Sequence, residues 1–194
     1  MPRVKEFDSE QILEDAMKLF WKNGFHATSM DDLVNHLGIN RSSLYNSFGG
    51  KKNIFLNGLK LYQDQNLQHL KSILESEASP KKGFKKLFES AIHSLSKDSD
   101  QKGCFLVNSS TELLPGDTEI KEFLIENKRK IEEIFTNYLK EGMKKKEIHK
   151  IKHPEELATF LFTLYNGIGV VSKLEITPDQ SNFMIDKLLK IFEN

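Results

Sequence analysis

The sequence predicts an all-α protein: an N-terminal three-helix head, expected over residues 1–52, and a larger helical body over 53–194. Three observations carry that reading. Apolar residues recur every three or four positions along most of the chain, and no segment shows the strict alternation of a half-buried strand. Glycine and proline fall between the periodic segments, at Gly24, Gly38, Pro80, Pro115-Gly116, Pro154 and Pro178. With 194 residues and fourteen phenylalanines, the chain can fill a substantial core without disulfides.

The first helix is expected from about Ser9 to Asn23, capped by Asp8 or Ser9, with Ile12, Leu13, Ala16, Leu19 and Phe20 on one face and Gly24 at its end. Arg3 and Lys5 precede it as a short basic arm or as a frayed end. The stretch from Thr28 to Phe55 is the most informative. Met30, Leu33, Val34 and Leu37 mark a short helix, with Thr28 as N-cap, Asp31 three residues later and Gly38 as the left-handed stop. Asn40 can cap the next helix, which turns Leu44 and Phe48 inward. Two helices on so short a turn form a helix-turn-helix, whose second helix can enter the DNA major groove. Such pairs also occur on ordinary protein surfaces. Here the outward residues Arg41, Ser42, Ser43, Tyr45 and Asn46 are polar and none is acidic, which suits a helix between rows of phosphates.

A long helix is expected from Lys51 to about Ser76. Its early residues Ile54, Phe55, Leu59 and Tyr62 face the head, and its later Leu67, Leu70, Ile73 and Leu74 face the body. After Ser79-Pro80, an amphipathic helix carries Phe84, Leu87, Phe88, Ala91, Ile92 and Leu95, and Ser96 to Gln101 form a polar loop. Gly103 to Leu114 reads as a helix buried on most sides, whose Asn108, Ser109, Ser110 and Thr111 face a cavity or satisfy nearby backbone. Asp117 opens a helix running to about Lys145, and Lys144 to Lys146 read as its solvated end. His153-Pro154 and Thr177-Pro178 open the last two helices. The first of these is apolar on too much of its circumference for one buried stripe, so its second side, assigned to Leu164 and Ile168, needs a partner. The simplest partner is another copy of the chain, in a four-helix bundle.

Composition narrows the function. Net charge is zero, unlike a nonspecific nucleic-acid binder. Seven basic and seven acidic residues cancel within the first 52, so attraction to DNA must come from placement, with bases toward the groove and acids behind. One cysteine excludes an internal disulfide, no apolar run approaches the roughly 20 residues that span a bilayer, and no signal peptide is visible; together these predict a cytoplasmic protein. The six histidines are scattered, and neither a phosphate-cradling glycine loop nor a nucleophile elbow occurs, so no enzyme, metal or cofactor is expected.

The order Ile12-Leu13, Ala16, Leu19-Phe20, Gly24-Phe25, Thr28-Ser29-Met30-Asp31-Asp32-Leu33, Gly38-Ile39, Ser43-Leu44-Tyr45, Phe48, Lys51, Phe55 resembles the N-terminal domain of TetR-family transcriptional repressors. The resemblance implies that Tyr45 and Lys51 hold phosphate and that Arg41, Ser42, Ser43 and Asn46 lie on the recognition helix. It also puts Thr28 at a cap that touches backbone phosphate. Two departures stand out: Gly50 where serine or aspartate is usual, and Lys52 where an acid is common, which adds charge near DNA. The family further implies a homodimer through the last two helices, a palindromic operator, and an effector site among the central helices of the body. Tyr62, Phe84, Phe88, Phe105, Phe123 and Phe160 are available to line that site, or to fill the core instead. Asn108, Thr111, Glu112 and Asn166 are its candidate polar anchors, and an apolar or aromatic effector is expected, since no buried cation stands out. Cys104 is either a small packing residue or a sensing thiol, as in family members with a similar Gly-Cys-aliphatic context. A different reading of the same head is a DNA-bound adaptor whose body binds a protein and has no effector.

Overall fold

The computed structural model describes residues 8–97, 100–174 and 176–193, apart from the side chains of residues 95 and 96. The basic arm of Arg3 and Lys5, the Leu95 side chain and part of the 96–101 loop lie outside the described residues. All regular structure among the described residues is helical: α1 (Ser9–Asn23), α2 (Met30–Leu37), α3 (Arg41–Phe48), α4 (Lys51–Glu75), α5 (Pro80–Ser96), α6 (Phe105–Leu113), α7 (Thr118–Lys144), α8 (Pro154–Val171), a 3-10 turn (Ser172–Leu174) and α9 (Pro178–Lys190).

Local chemistry sets most boundaries. The Asp8 carboxylate accepts from the amides of Glu10 and Gln11 and starts α1. Asn40 accepts from the Ser43 amide at 2.8 Å and starts α3. Thr177 and Gln180 form a reciprocal capping box on α9. One cap differs from expectation. Ser29, not Thr28, caps α2, in a capping box with Asp32 rather than with Asp31. The hydroxyls of Thr28 and Ser29 compete for one place, and burial decides between them. Thr28 is fully buried and its Oγ1 donates to the Gly24 carbonyl at 2.7 Å, while Ser29 stays exposed.

Two apolar clusters hold the chain. The first joins Ala16, Phe20, Leu33, Leu44, Ile54, Phe55 and Leu59 of α1–α4 to Phe105, Leu106 and Leu113 of α6 and Ile120 of α7. The second joins Leu70 and Leu74 of late α4 to Phe84, Phe135, Leu161 and Leu188 from α5, α7, α8 and α9. Helix α4 belongs to both. Between the clusters, the buried Gln63 Nε2 donates to Asn127 Oδ1 at 3.1 Å and the half-buried Lys130 Nζ to Gln63 Oε1 at 3.2 Å, so a polar chain ties α4 to α7.

Helix α8 corrects the sequence reading twice. Pro154–Leu174 is long and apolar enough to cross a membrane by length and composition, with a mean hydropathy of 1.3. Packing accounts for one side, since Ala158, Leu161 and Ile168 are buried in the second cluster. Ile168 therefore faces the body and not a partner. The other side leaves Phe160, Leu164, Val170 and Val171 exposed, continued by Leu174 and by Phe183 of α9.

Candidate nucleic-acid interface and body cavity

Helix α3 is anchored by the fully buried Leu44, which turns Arg41, Ser42, Tyr45 and Asn46 to solvent, with Ser43 half-buried. Tyr45 lies across Gly50, where a Cβ would come within 3.3 Å of its ring, so glycine at this N-cap gives the tyrosine room. Ser42 Oγ donates to Asn40 Oδ1 at 2.7 Å. Arg41 pairs with Asp31 at 3.4 Å, and both are exposed. That acid stands beside the start of α3 and not behind the head as expected, so the Arg41 guanidinium already has an anionic partner within the protein.

The expected phosphate contacts divide. Thr28 is sealed inside and offers no exposed atom to phosphate. Lys51 Nζ donates to the carbonyls of Phe25 and Thr28, each at 2.9 Å, and lies 4.3 Å from the centre of the Phe25 ring. Half-buried, it ties the α1–α2 turn to the start of α4. Lys52 does not project toward α3. It bridges to Asp117 at 2.9 Å and Glu119 at 3.1 Å, at the start of α7. This pair, with the Ile120 amide, holds the Asp117 carboxyl below its ordinary range. The charge at Lys52 thus ties head to body, which a local sequence pattern does not reveal.

A cavity of about 340 Å³ opens where head and body meet. Its walls include Trp21 of α1, Tyr62 and Asn66 of α4, Ala91 of α5, Gly103-Cys104, and Tyr165 and Asn166 of α8. Trp21 Nε1 donates to the Gly103 carbonyl at 3.0 Å, and its ring meets Tyr62 edge-on with centroids 5.0 Å apart. The Tyr62 hydroxyl donates to Cys104 Sγ at 3.8 Å, and Tyr165 donates to Asn66 Oδ1 at 3.3 Å. Burial pushes the Cys104 thiol up, outweighing the amides of Val107 and Leu106 and the Tyr62 hydroxyl. Cys104 is half-buried in the cavity wall, and a thiol whose pKa is raised is a poor nucleophile. A larger, open groove of about 1060 Å³ at the far end of α4 is lined by Leu67, Leu74, Ile134 and Tyr138 with a rim of Lys71, Glu75, Glu77, Glu133 and Glu141, and none of its lining residues belongs to the head. Among the described residues, no cluster of His, Cys, Asp or Glu is placed to hold a metal ion.

Of the ten residues expected around an effector, the structure brings Tyr62 and Asn166 to the cavity. Phe105 stands behind its wall, with its ring 5.7 Å from Tyr62 and 6.4 Å from Trp21. Phe84 and Phe88 are core, Phe84 packing on Phe135, Tyr138 and Phe192. Phe123 packs against the first cluster, and Phe160 is half exposed on the outer side of α8. Asn108 receives Lys173 Nζ at 2.6 Å and donates to the Lys102 carbonyl at 2.6 Å, and Thr111 returns its hydroxyl to its own helix. Glu112 points away from the cavity to the head. Its two carboxylate oxygens accept from the amides of Phe25 at 3.0 Å and His26 at 2.7 Å. Helical spacing marks these side chains as inward without saying which neighbour they meet. Trp21 carried no assigned role in the sequence, because its cavity-facing position depends on the return of residues some eighty positions later.

A helix-turn-helix head on a long shared helix, backed by an all-helical body, defines a class of DNA-binding transcriptional regulators. Residues 12–57 match the bacterial regulatory proteins of the tetR family, and residues 81–188 match the tetracyclin repressor-like C-terminal domain. The chain belongs to the TetR family of transcriptional regulators, which is not a family of enzymes. It is 27% identical over 194 residues to the uncharacterized HTH-type transcriptional regulator YezE of Bacillus subtilis (strain 168), covering 100% of both chains. It is 28% identical over 172 residues to the HTH-type transcriptional repressor ComR of Escherichia coli (strain K12), covering 88% of this chain and 82% of that one. A solved structure of the TetR family regulator CifR, a cysteine mutant complexed with operator DNA, superposes with a TM-score of 0.87. The two share 23% identity, over 98% of this chain and 99% of CifR, a likeness of fold.

Proposed function

We propose that the protein is a homodimeric repressor that binds a palindromic operator through two α3 helices and releases it when a small apolar or aromatic molecule enters the cavity of each subunit. The observation that carries this reading is the cavity itself, because its walls come from both parts of the molecule. Trp21 belongs to the head, while Tyr165 and Asn166 sit on α8, the helix with the unpartnered apolar side. Its volume of about 340 Å³ fits a small ligand, and the rings of Trp21, Tyr62 and Tyr165 suit an uncharged aromatic one. An occupant that favours one arrangement of head and body shifts the spacing of the two heads, and with it operator affinity.

Thr28 is proposed to act by shaping the start of α2, and Tyr45 and Lys51 to touch phosphate. Arg41, Ser42, Ser43 and Asn46 are proposed to face the groove. The test is selection of bound duplexes from a random pool, mapping of the selected sequence on the genome, and trial of small molecules suggested by the neighbouring genes. A two-fold symmetric operator released by one aromatic compound supports the reading. Stable operator binding that no small molecule alters, with a co-purifying protein on the body, supports the adaptor instead.

A further inference from the structure

Helix α6 touches the cavity with one end and the head with the other. At its N-terminal end, Cys104 occupies the N-cap position without a side-chain capping bond and lines the cavity beside Gly103. That end is tightly seated on α8. A Cβ on Gly103 would stand 2.7 Å from the Gly169 carbonyl oxygen, and a Cβ on Gly169 would stand 2.9 Å from Cys104 Cβ. Roughly 13 Å along the helix axis, at the C-terminal end, Glu112 takes the amides of Phe25 and His26. The fit is equally close there: Gly24 has a φ of 87°, and a Cβ on it would stand 3.0 Å from Glu112 Oε2. Hydrogen bonds to a carboxylate are stronger than neutral ones. The carbonyls of the same turn are held by Lys51, so its donors and acceptors are fixed from two elements. The next residues are Thr28 and Ser29, which start α2.

We propose that Glu112 is a positioning residue for the head, and that α6 transmits occupancy of the cavity to the helix-turn-helix through this carboxylate clamp. The proposal rests on the reading that the cavity takes an effector. An occupant that displaces Gly103 and Cys104 from Gly169 moves a short helix as one body, and the clamp carries that movement to the α1–α2 turn. Without the carboxylate, the turn is released from α6 and the state of the cavity no longer biases the angle of the head.

The experiment measures affinity for the selected operator in the native, Glu112→Gln and Glu112→Ala proteins, each with and without Ala91→Phe, which fills the cavity from the α5 side. Cys104→Phe, from the opposite wall, replaces Ala91→Phe if circular dichroism shows a loss of fold. Filling the cavity is expected to weaken operator binding about tenfold in the native background and less than about twofold with Glu112→Ala. Glu112→Gln, which keeps one acceptor oxygen, falls between. An equal loss in all backgrounds, or no loss in the native one, overturns the proposal while operator binding still stands. If no duplex is selected at all, the repressor reading fails and amide exchange decides alone. Cavity filling must then speed exchange at Phe25 and His26 in the native protein and leave it unchanged with Glu112→Ala, and unchanged exchange in the native protein overturns the coupling.

Discussion

Lys51 is engaged by the carbonyls of Phe25 and Thr28 and by the Phe25 ring before any phosphate approaches it. Lys51→Ala is therefore expected to lower stability as well as DNA affinity, by about 1–3 kcal/mol on chemical denaturation, because the turn loses two charge-assisted bonds. Tyr45→Ala is expected to weaken binding to all duplexes about equally at unchanged stability, since the side chain is half exposed. Matching denaturation midpoints for native and Lys51→Ala proteins would show that the turn does not depend on the lysine. Asp31 gives a change of opposite sign. Its carboxylate pairs with Arg41 beside the exposed residues of α3 proposed to face the groove, so Asp31→Asn should free the guanidinium and tighten DNA binding a few-fold at low salt, with the gain fading as salt rises. A weaker or salt-independent effect in a binding titration would argue that the pair orients Arg41 rather than competing for it. The sequence made Arg41 and Tyr45 legible because their exposure follows from the inward turn of Leu44 and Phe48. The places of Glu112 and Lys52 do not follow from the local sequence, because their partners, the 25–26 amides and Asp117 with Glu119, lie more than sixty residues away, beyond the reach of helical periodicity.

Among the elements, α8 and α7 carry the sharpest expectations. The exposed stripe of Phe160, Leu164, Val170 and Val171 needs a partner surface. Leu164→Arg should bury an unpaired charge there, at a cost of several kcal/mol, and sedimentation should show the native dimer reduced to monomer with its helical content kept. A native monomer at micromolar concentration would remove the argument. Helix α7 is tied to the α4–α5 turn by the Tyr138 hydroxyl, which donates to the carbonyls of Glu77 at 2.6 Å and Ser79 at 3.2 Å. Burial and the nearby Glu77 charge raise its pKa to about 12. A raised phenol pKa stabilises the fold fully below the ordinary value near 10, and that contribution is lost as pH climbs from about 10 through 12. Melting curves of Tyr138→Phe should thus fall less steeply over this window than those of the native protein, and parallel curves would rule out the linkage. Helix boundaries were the most legible feature, because Asp8, Asn40, Asp117 and Thr177 act on amides two or three residues away. The start of α2 lies one residue beyond the expected cap, since Thr28 and Ser29 both present a hydroxyl and only the packing of Thr28 decides. The aromatics could not be sorted in advance into core, cavity and outer face. Phe84, Tyr62 and Phe160 share helical spacing and differ in which neighbours surround them.

At the scale of the whole molecule, the head does not end where the helix-turn-helix does. Its cluster takes Ile54, Phe55 and Leu59 from α4 and Phe105, Leu106, Leu113 and Ile120 from α6 and α7. A fragment of residues 1–52 lacks all seven side chains and is expected to show little fixed structure by circular dichroism, whereas a stable cooperative melt would make the head independent of the body. The same interlocking sets an optical property. Trp21 is the only tryptophan in the sequence, and it sits in the wall of the cavity with Tyr62, Lys102 and Cys104 around it. Its indole N–H is held by the Gly103 carbonyl. Emission excited in the tryptophan band therefore comes from one place, where a thiol and a phenol can quench it and where light energy absorbed by tyrosines can be collected. Any molecule entering between these groups, or any loosening of the bond to Gly103, changes that emission without a label. The protein carries its own fluorimeter at the junction of head and body, and a compound collection can be screened on unmodified protein by colour and intensity alone.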